Sequence, residues 1–575
     1  MPAKGQAVII TVFWMFARQG LSLWATLFRC MHANQPRICF VPQKVFNVLL
    51  MFCAAFSLHP LQAAPAKVFN IKDYGATGRK EDDARPAIQK AIDACGAAGG
   101  GTVVIPAGHY TSGTLHLRSN LHLILEAGAT LFATSDPKAY DCGPILTKAA
   151  LLFGEDLENV SISGQGIVDG QSEYEWRQDD FEENFDHKTL MQKLGKSIVR
   201  PVPKGFPKRE VFPHLLWLGR SKSIRVGGLN LLHSPGWTIS LFACQSVRFE
   251  NLYIYSSLKE AVWADGIDLD GCRDAVISNC VIETGDDCVA LVSQNWWGKA
   301  LPCENITVTN CRLSTASAGI KFSEGNIAGV RNIQVVTTLF NNVNRGLAFN
   351  DMLGGGISNV VVSNVTINCN RFDWFWAGDG QPVRFKIGPL SEWTKEPPKP
   401  GEALPGPVSN IILRNVIVRA KGSSLFYGHS KSWLQGIRLE NVKWFVSSDP
   451  SAPYDTAQHA LDFRYARDVK LKNVEVFWGQ PSLPSWKSAL AFEDAGGLEL
   501  DQFGGAAAWP DREAPAILFK QVSNSLVRNC RALGDGVFLK VTGPGTRQIR
   551  LEQSDFKKAR VDISDDVPSG AVSRD

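Results

Sequence analysis

The chain has 575 residues, of which 45% are hydrophobic and 20% are charged, and it carries a formal net charge of +4. This composition is typical of a globular protein, and the small charge argues against a nucleic-acid partner and gives only weak attraction to an acidic polysaccharide. Length alone predicts several domains, but repeat architectures do not follow that rule.

The first 66 residues differ from the rest of the chain. An apolar run at residues 45–58 follows Lys44 and precedes the small-residue segment LQAAPA, which is the layout of a secretory signal peptide. Because this leader begins well inside the chain, we expect the true start to lie later, near Met31, and the product to be periplasmic or secreted. An N-terminal membrane anchor is the alternative. We therefore expect a targeting region, residues 1–66, and one domain, residues 67–570.

The predicted domain opens with strands around a single helix. Residues 86–95, PAIQKAIDAC, predict a short amphipathic helix with Pro86 in its first turn and Asp82 or Asp83 near its cap. A helix in this place can cover the open end of a solenoid, where core and strand edges are otherwise exposed. The strands predicted around it are residues 69–71, 102–105, 121–125 and 129–132.

From residue 159 onward a repeat dominates the sequence. Each unit has a polar residue, then alternating apolar residues, then often an asparagine, and the alternation is the strand signal. A repeat at this spacing without a helical pattern predicts a parallel β-helix, with its asparagines in hydrogen-bonded ladders. The units begin at Asn159, Ser223, Ser246, Asp274, Asn305, Asn332, Asn359, Asn410, Gly436 and Asp468.

Two segments interrupt the repeat, and cysteines end several of its strands. Residues 171–213 and 389–407 are predicted as long loops, either binding walls or inserts without a role. Cys280, Cys311 and Cys530 each follow an asparagine, which favours stacking inside the core, with disulfides as the alternative. No CxxC pair is present, so a zinc site is not expected.

Three carboxylates stand out in residues 263–291. Asp265 lies in ADGID, and Asp286 and Asp287 follow in TGDDC, 21 residues after Asp265. This interval is close to one coil of the repeat, and residues one coil apart lie side by side, so we predict a cluster. Such a cluster suits glycosidic bond hydrolysis, in which one carboxyl donates a proton and another activates water or attacks the sugar. A lone aspartate more often caps a turn, and we interpret Asp268 and Asp270 in this way.

These motifs resemble those of glycoside hydrolase family 28, the polygalacturonase-like group. The matching stretches are DYGATG with the following AIQKAIDACGAAGGGTVVIPAGHY block, GQGIVDG, HSPGWTI, ADGID and TGDDC. The pair ADGID and TGDDC is the specific part, since pectate lyases and phage tailspikes share the N-terminal block. The resemblance implies an all-β fold, a single-stranded right-handed parallel β-helix with a short N-terminal capping helix.

The same resemblance implies hydrolysis of a pectic polysaccharide with inversion, without metal or cofactor. Asp286 would be the general acid, and Asp265 and Asp287 would hold and activate the water, although Asp286 and Asp287 can exchange roles. Neighbouring carboxylates keep the acid protonated. Room for the water requires a separation of roughly 6.5–9.5 Å between acid and base.

The sequence also departs from the family pattern. Residues 314–324, STASAGIKFSE, lack the histidine that polygalacturonases carry in a GHG turn, and RGLAFN at residues 345–350 lacks the Arg-x-Lys that grips galacturonate. We therefore expect a neutral or deoxy sugar, such as rhamnose or galactose, on the non-reducing side of the cut. Residues that can supply a relocated grip, each more often an ordinary surface cation, are Lys321, Arg345, Arg384 and Lys386.

Aromatic residues in predicted loops suit stacking on sugar rings, with core packing as the competing use. They are Trp237, Trp263, Trp296, Trp297, Trp374 and Trp376. Trp263 is favoured because it lies beside Asp265. The expected partner is a polysaccharide or oligosaccharide bound by a monomer, with no nucleic acid and no membrane after processing. Two other functions stay open, a calcium-dependent β-helix polysaccharide lyase and a non-catalytic carbohydrate-binding protein.

Overall fold

The computed structural model describes residues 67–140, 149–172, 176–180, 199–203, 213–259, 261, 263–294, 298–322, 325–372, 380–394, 396–447, 458–479, 484–509, 514–554 and 559–574. The predicted leader lies outside these residues, as do Trp296, Trp297, Trp374 and Trp376. Ala66–Asp575 forms one compact unit. None of the helices in the described ranges has the length and apolar character that a bilayer-crossing helix needs.

The described residues are mostly strands. The helices are α1 Arg85–Ala97 and α2 Leu390–Thr394, with short 3-10 turns at Ile71–Tyr74 and Pro137–Ala139. The first strands are β1 Val68–Asn70, β2 Gly101–Ile105, β3 Gly108–Ser112, β4 Leu115–His116, β5 Leu121–Leu125, β6 Ala129–Ala133, β7 Ala150–Glu155, β8 Glu158–Gly164, β9 Ile167–Asp169, β10 Trp176–Asp180, β11 Val199–Pro203, β12 His214–Gly219 and β13 Lys222–Gly227. The next are β14 Asn230–Leu232, β15 Ile239–Phe242, β16 Gln245–Glu250, β17 Tyr253–Tyr255, β18 Ile267–Asp270, β19 Arg273–Ser278, β20 Val281–Thr284, β21 Val289–Val292, β22 Cys303–Thr309, β23 Arg312–Phe322, β24 Val330–Val336, β25 Leu339–Asp351 and β26 Ile357–Cys369. The last are β27 Gln381–Ile387, β28 Val408–Ala420, β29 Ser424–Tyr427, β30 Leu434–Val446, β31 Leu461–Trp478, β32 Leu490–Asp501, β33 Gly504–Gly505, β34 Ile517–Arg528, β35 Arg531–Ala532, β36 Gly536–Thr542, β37 Arg547–Glu552, β38 Ala559–Ile563 and β39 Val572–Arg574.

Strands pair with those one coil before and after them. β18 pairs in parallel with β15 on one side and β21 on the other, and β21 pairs in parallel with β23. β23 pairs in turn with β25, and β25 with β27. This arrangement confirms the predicted all-β fold built from parallel coils.

The repeat unit explains the shape of each coil. In β26, Val360 and Val362 are buried on one side of a bend, and Val365 and Ile367 on the other. Bends of this kind fall at asparagines with positive φ, such as Asn359 at 56°, because asparagine tolerates the left-handed conformation better than other side chains. The predicted ladders are confirmed: hydrogen bonds of 3.1 Å link Asn305 to Asn332, Asn332 to Asn359 and Asn359 to Asn410.

The core is a stack of side chains that face inward from successive coils. Phe349 stacks between Phe322 and Phe385 with ring centroids 4.3 Å apart on both sides. The described cysteines are all buried and all free, so inward stacking is confirmed over disulfide bonding for this part of the chain. They are Cys95, Cys244, Cys272, Cys280, Cys288, Cys303, Cys311, Cys369 and Cys530.

The helix α1 is three residues longer than the predicted segment, and its cap differs. The N-cap is Ala84, which makes no side-chain cap hydrogen bond. Asp83 Oδ1 instead accepts from the backbone N–H of Arg85 at 3.0 Å, and Asp82 binds Arg79. The apolar face of α1 packs on β1, β2, β4 and β5, so the helix covers the first strands; that its role is to cap the solenoid remains a prediction.

The first interruption of the repeat was predicted wrongly as a loop throughout. Its described parts include β10 and β11, which pair antiparallel, with Trp176 opposite Pro203 and Asp180 opposite Val199. The sequences WRQDD and VRPVP lack regular apolar alternation, so the usual strand signal is missing there. The second interruption contains the short helix α2.

Candidate active site

The predicted carboxylates lie in two turns that each lead into a strand. Asp265 precedes β18, and Asp286 and Asp287 precede β21. In the register of these strands Ile267 lies opposite Val289, which is a step of 22 residues. The residue directly above Asp265 is therefore Asp287, and Asp286 is one position earlier. The prediction had matched Asp265 with Asp286, because it used the interval between the motifs instead of the strand register.

The two turns are joined at their carboxylates. The backbone N–H of Asp287 donates to Asp265 Oδ1 at 2.7 Å and to Asp286 Oδ1 at 3.0 Å. A Cβ at Gly266 would lie 2.4 Å from the carbonyl oxygen of Cys288, so only glycine permits this close approach. One oxygen from each of the three carboxylates lies within 4.8 Å of the others. The structure thus brings the three predicted residues together.

The spacing of these oxygens is shorter than we expected. An inverting mechanism is associated with roughly 6.5–9.5 Å between the two carboxyl groups, whereas the nearest oxygens here lie within 4.8 Å. The cause is the architecture, since neighbouring parallel strands are about 4.8 Å apart and the two turns belong to neighbouring coils. The separation therefore gives no support for inversion, which still rests on the resemblance.

Asp287 is surrounded by hydrogen-bond donors. Its Oδ1 accepts from the Ser317 hydroxyl at 2.7 Å and from the backbone N–H of Ala318 at 2.9 Å. Its Oδ2 lies 3.0 Å from Lys321 Nζ, and the Asp287 side chain is only 2% exposed. A carboxylate fits three donors better than a carboxylic acid, which would bring a proton of its own.

The other two carboxyls have the opposite bias. Burial raises the pKa of Asp286 well above its ordinary value, and the charges of Asp265 and Asp287 raise it further, while Lys321 lowers it. Burial also raises the pKa of Asp265, with a further contribution from the carboxylate of Asp268. The site therefore combines one carboxylate held by donors with carboxyls that retain protons.

Asp268 and Asp270 were interpreted as turn residues, and this is wrong. Both lie on β18, where Ile267 and Leu269 face the core and are fully buried. The two aspartates alternate with them and line a cavity of about 160 Å³ together with Asp265 and Asp286. The alternation in the letters IDLD was the signal for this. The other residues that line the cavity are Trp237, Phe242, Trp263, Ala290, Val292, Gln294 and Lys321.

The two additional aspartates differ in their contacts. Asp270 Oδ1 accepts from the backbone N–H of Gln294 at 2.8 Å. Asp268 Oδ2 is buried and has no hydrogen-bond partner within the described ranges. Burial raises the pKa of Asp268 well above its ordinary value, and the charge of Asp287 adds to the shift. Asp268 is thus a buried, polar group at the cavity wall that sequence reasoning had set aside.

The predicted substrate-binding residues are placed unevenly. Trp263 and Lys321 line the cavity, and Trp237 joins them. Arg345 lies on β25 opposite Ala318 of β23, outside the set that lines the cavity. Trp374 and Trp376 fall outside the described residues.

Comparison with known proteins was consistent with this geometry. The profile of Glycosyl hydrolases family 28 matches residues 204–371, which include the three clustered aspartates. The chain belongs to glycosyl hydrolase family 28. A second profile, Rhamnogalacturonase A/epimerase, pectate lyase-like, matches residues 68–139 of this family 28 chain. This span holds the N-terminal block that the sequence had linked to several β-helix groups.

Relatives of this family 28 chain are distant. A probable polygalacturonase of Vitis vinifera is 24% identical over 333 residues, which cover 54% of this chain and 62% of the relative, less than two thirds of its length. The structure of a family 28 exopolygalacturonase of Yersinia enterocolitica matches with a TM-score of 0.58 at 20% identity, over 76% of this chain and 79% of that one. A hyperthermoactive exopolygalacturonase of Thermotoga maritima matches with a TM-score of 0.54 at 22% identity, over 72% and 92%. At these identities the two structures show the shared fold.

Proposed function

We propose that this chain is an exported, inverting glycoside hydrolase that acts on a pectic or related complex polysaccharide, with a sugar specificity different from that of polygalacturonases. The observation that carries the proposal is the group of three buried carboxylates from adjacent coils, with a lysine on one of them. Family membership and the names of the relatives, polygalacturonase and exopolygalacturonase, support hydrolysis of a glycosidic bond.

Asp286 is the general acid in this proposal. Burial raises its pKa, so the side chain can still carry a proton near neutral pH, as protonation of the leaving oxygen requires. Asp286 also lines the cavity, whereas Asp287 is not among the lining residues. A proton donor must reach the substrate, and this difference favours Asp286 over Asp287 for the role.

Asp265 and Asp287 hold and activate the attacking water. Ser317, Ala318 and Lys321 keep Asp287 as a carboxylate, and Asp287 in turn fixes Asp265 through its backbone N–H. Lys321 therefore acts on the reaction through Asp287 and is a positioning residue in this account. The sequence had placed it only among the candidates for binding substrate.

The altered specificity rests on two missing cations. Ala348 and Asn350 occupy the positions where the resemblance leads us to expect Arg and Lys, and both are buried. Neither side chain can pair with a sugar carboxylate, because alanine is apolar and asparagine is uncharged. We propose a neutral or deoxy sugar at this point of the substrate, as in a rhamnogalacturonan-type polysaccharide.

Several further features belong to the same proposal. They are right-handed winding of the coils, a capping role for α1, a monomeric state, and export directed by a signal peptide within residues 1–66. N-terminal sequencing of the mature protein tests the last of these. A mature chain that begins near residue 66 agrees with it, and one that begins before Lys44 contradicts it.

A calcium-dependent polysaccharide lyase is the second candidate, because three carboxylate oxygens within 4.8 Å can hold a divalent cation. Lys321 weighs against it in two ways. Its ammonium group already lies 3.0 Å from Asp287 Oδ2, where it competes with a metal ion. A lysine that is paired with a carboxylate is also a poor base for proton removal. A non-catalytic binding protein would not need the buried acid at Asp286.

Product analysis of the wild-type protein tests the proposal. The substrates are polygalacturonate, rhamnogalacturonan and oligosaccharides of each, with and without a chelator. The proposal predicts saturated sugars, released equally with chelator present, and a low rate on polygalacturonate. An unsaturated, ultraviolet-absorbing product that disappears with chelator would establish the lyase instead. Galacturonate release from polygalacturonate at a rate equal to that on rhamnogalacturonan would contradict the altered specificity.

A further inference from the structure

The outward face of β27 carries two cations that the site described above does not use. Val383 and Phe385 of this strand face the core and are buried, and Arg384 and Lys386 alternate with them and are half-buried. This alternation places both cations on the side of the sheet that faces away from the core, the side to which the cavity-lining Asp268 also belongs.

The strand register connects these cations to the candidate active site. Asp268 lies opposite Ala290, Ala290 opposite Lys321, and Lys321 opposite Ala348. In the next coil Ala348 lies opposite Arg384, and Asn350 lies opposite Lys386. Arg384 and Lys386 therefore repeat, one coil further on, the two positions at which the family resemblance predicts Arg and Lys.

The second interruption of the repeat adds a wall beside these residues. Lys386 Nζ lies 3.9 Å from the centroid of the Trp393 ring, and Trp393 belongs to α2. A cation held over an indole ring keeps its charge and has a restricted position. The acid next to this tryptophan, Glu392, is engaged by His429 Nε2 at 3.1 Å.

The distance along the sheet sets what a bound chain would present. Neighbouring strands are about 4.8 Å apart, so Arg384 lies about 10 Å beyond Lys321 along the stack of coils. Between them stands Ala348, whose methyl group offers no charge. A saccharide that follows this face thus meets the carboxylates first, then an uncharged floor, and then two cations.

We propose that Arg384 and Lys386 form a subsite for the carboxylate of a uronic acid, so that the substrate is a saccharide in which a neutral sugar near the cleavage point is followed by a uronate. The guanidinium group suits planar, bidentate recognition of a carboxylate, and the ammonium group adds a point charge. This inference rests on the proposed function, since it names the substrate of the same site.

The test measures binding, so that it does not depend on turnover. All proteins carry Asp286→Asn, and calorimetry gives the Kd for an oligosaccharide of alternating rhamnose and galacturonate and for its carboxyl-reduced form. The proteins are this parent, the parent with Arg384→Ala and Lys386→Met, and the parent with Lys472→Met. Lys472 is an exposed lysine that pairs in the sheet with Glu440 and Asp501, and it is the matched control. Circular dichroism confirms that each protein is folded.

The parent and the control are expected to bind the acidic oligosaccharide about 10- to 100-fold more tightly than its reduced form, the ratio that hydrogen bonds to a charged group carry. The double variant should bind both forms with the weaker constant. Equal preference for the acidic form in parent and double variant, or no preference in the parent, would overturn the subsite. Absence of hydrolysis by the wild-type protein would overturn the proposed function, and it leaves this binding comparison intact.

Discussion

Lys321 Nζ lies 3.0 Å from Asp287 Oδ2, although the two residues belong to different coils. Lys321 is on β23 and Asp287 precedes β21, and these strands pair in parallel with Ala290 opposite Lys321. The lysine therefore reaches the carboxylate across one strand spacing. This contact places a positive charge beside a group of buried acids and affects the pKa of each of them.

The first prediction concerns the pH dependence of catalysis in Lys321→Met. Lys321 lowers the pKa of both Asp286 and Asp265, so its removal should raise both. Hydrolysis requires an ionised base and a protonated acid, and both limbs of the pH–rate curve should move to higher pH. The maximal kcat should fall about tenfold or more because Asp287 loses a charge-assisted partner. Lys321→Arg keeps the charge and should keep the wild-type limbs, and unchanged limbs in the methionine variant would contradict the positioning role.

The second prediction concerns the stability of Asp268→Asn. Burial raises the folded-state pKa of Asp268 above its ordinary value of 3.8, so the folded protein holds this proton more tightly than the unfolded chain. The resulting cost is absent below that value and grows as the pH rises towards the folded-state pKa. Near neutral pH the variant should therefore be more stable than wild type by more than about 1 kcal/mol.

Chemical denaturation at several pH values measures this difference. The free energies of unfolding of wild type and Asp268→Asn should converge below pH 3.8. Asp274→Asn, at an exposed position, serves as the control and should show no such dependence. A gap between Asp268→Asn and wild type that stays constant with pH would show that the ionised carboxyl is not the cause.

The third prediction concerns the asparagine ladder at Asn332. Its side chain donates to Asn305 and accepts from Asn359, both at 3.1 Å, and its φ is 59°. Asn332→Ala should cost about 3 kcal/mol, from two hydrogen bonds of about 1 kcal/mol each and about 1 kcal/mol of left-handed strain. Asn332→Gly removes the bonds without the strain and should cost about 2 kcal/mol.

Hydrogen exchange of the amides in β24 and β26 reports this loss where it occurs. Local measurement is preferable because long repeat proteins often do not unfold in a single step. The two variants should rank with alanine as the less stable. If glycine were the less stable of the two, the left-handed backbone would not be a cost at this position.

The fourth prediction concerns the stereochemistry of the product. The resemblance implies inversion, while the nearest carboxylate oxygens lie within 4.8 Å, less than the usual separation for inverting enzymes. We expect the first sugar released to have the anomeric configuration opposite to that of the cleaved bond. Proton NMR early in the reaction, before mutarotation, distinguishes the two anomers. Retention would mean that one of the aspartates attacks the sugar directly.

Much of the fold was accessible from the sequence because each coil repeats one local pattern. The alternation of apolar residues gave the strands, and the polar residues between them gave the bends, as at Asn359. The three carboxylates were found because they occur in two short motifs close to one coil apart. β10 and β11 were missed because pairing across the interruption makes them strands, without an apolar pattern of their own.

The details of the site depended on register, which a sequence does not state. The coil from Ile267 to Val289 spans 22 residues, and the coil from Val289 to Ile320 spans 31. Counting by a fixed period therefore misplaces Lys321 relative to Asp287. The donors to Asp287 include a backbone N–H, at Ala318, and backbone donors leave no mark on the sequence. Asp268 could have been found, since it alternates with buried residues.

The most direct test of the central claim compares the wild-type protein with Asp286→Asn on a rhamnogalacturonan substrate. Asp274→Asn is the control, because it makes the same chemical change at an exposed aspartate. We predict that wild type and Asp274→Asn release the same saturated sugar at similar rates, and that Asp286→Asn is slower by about 10²- to 10⁴-fold, the usual contribution of a general acid. Folded Asp286→Asn that cleaves as fast as wild type would contradict the assignment of the active site.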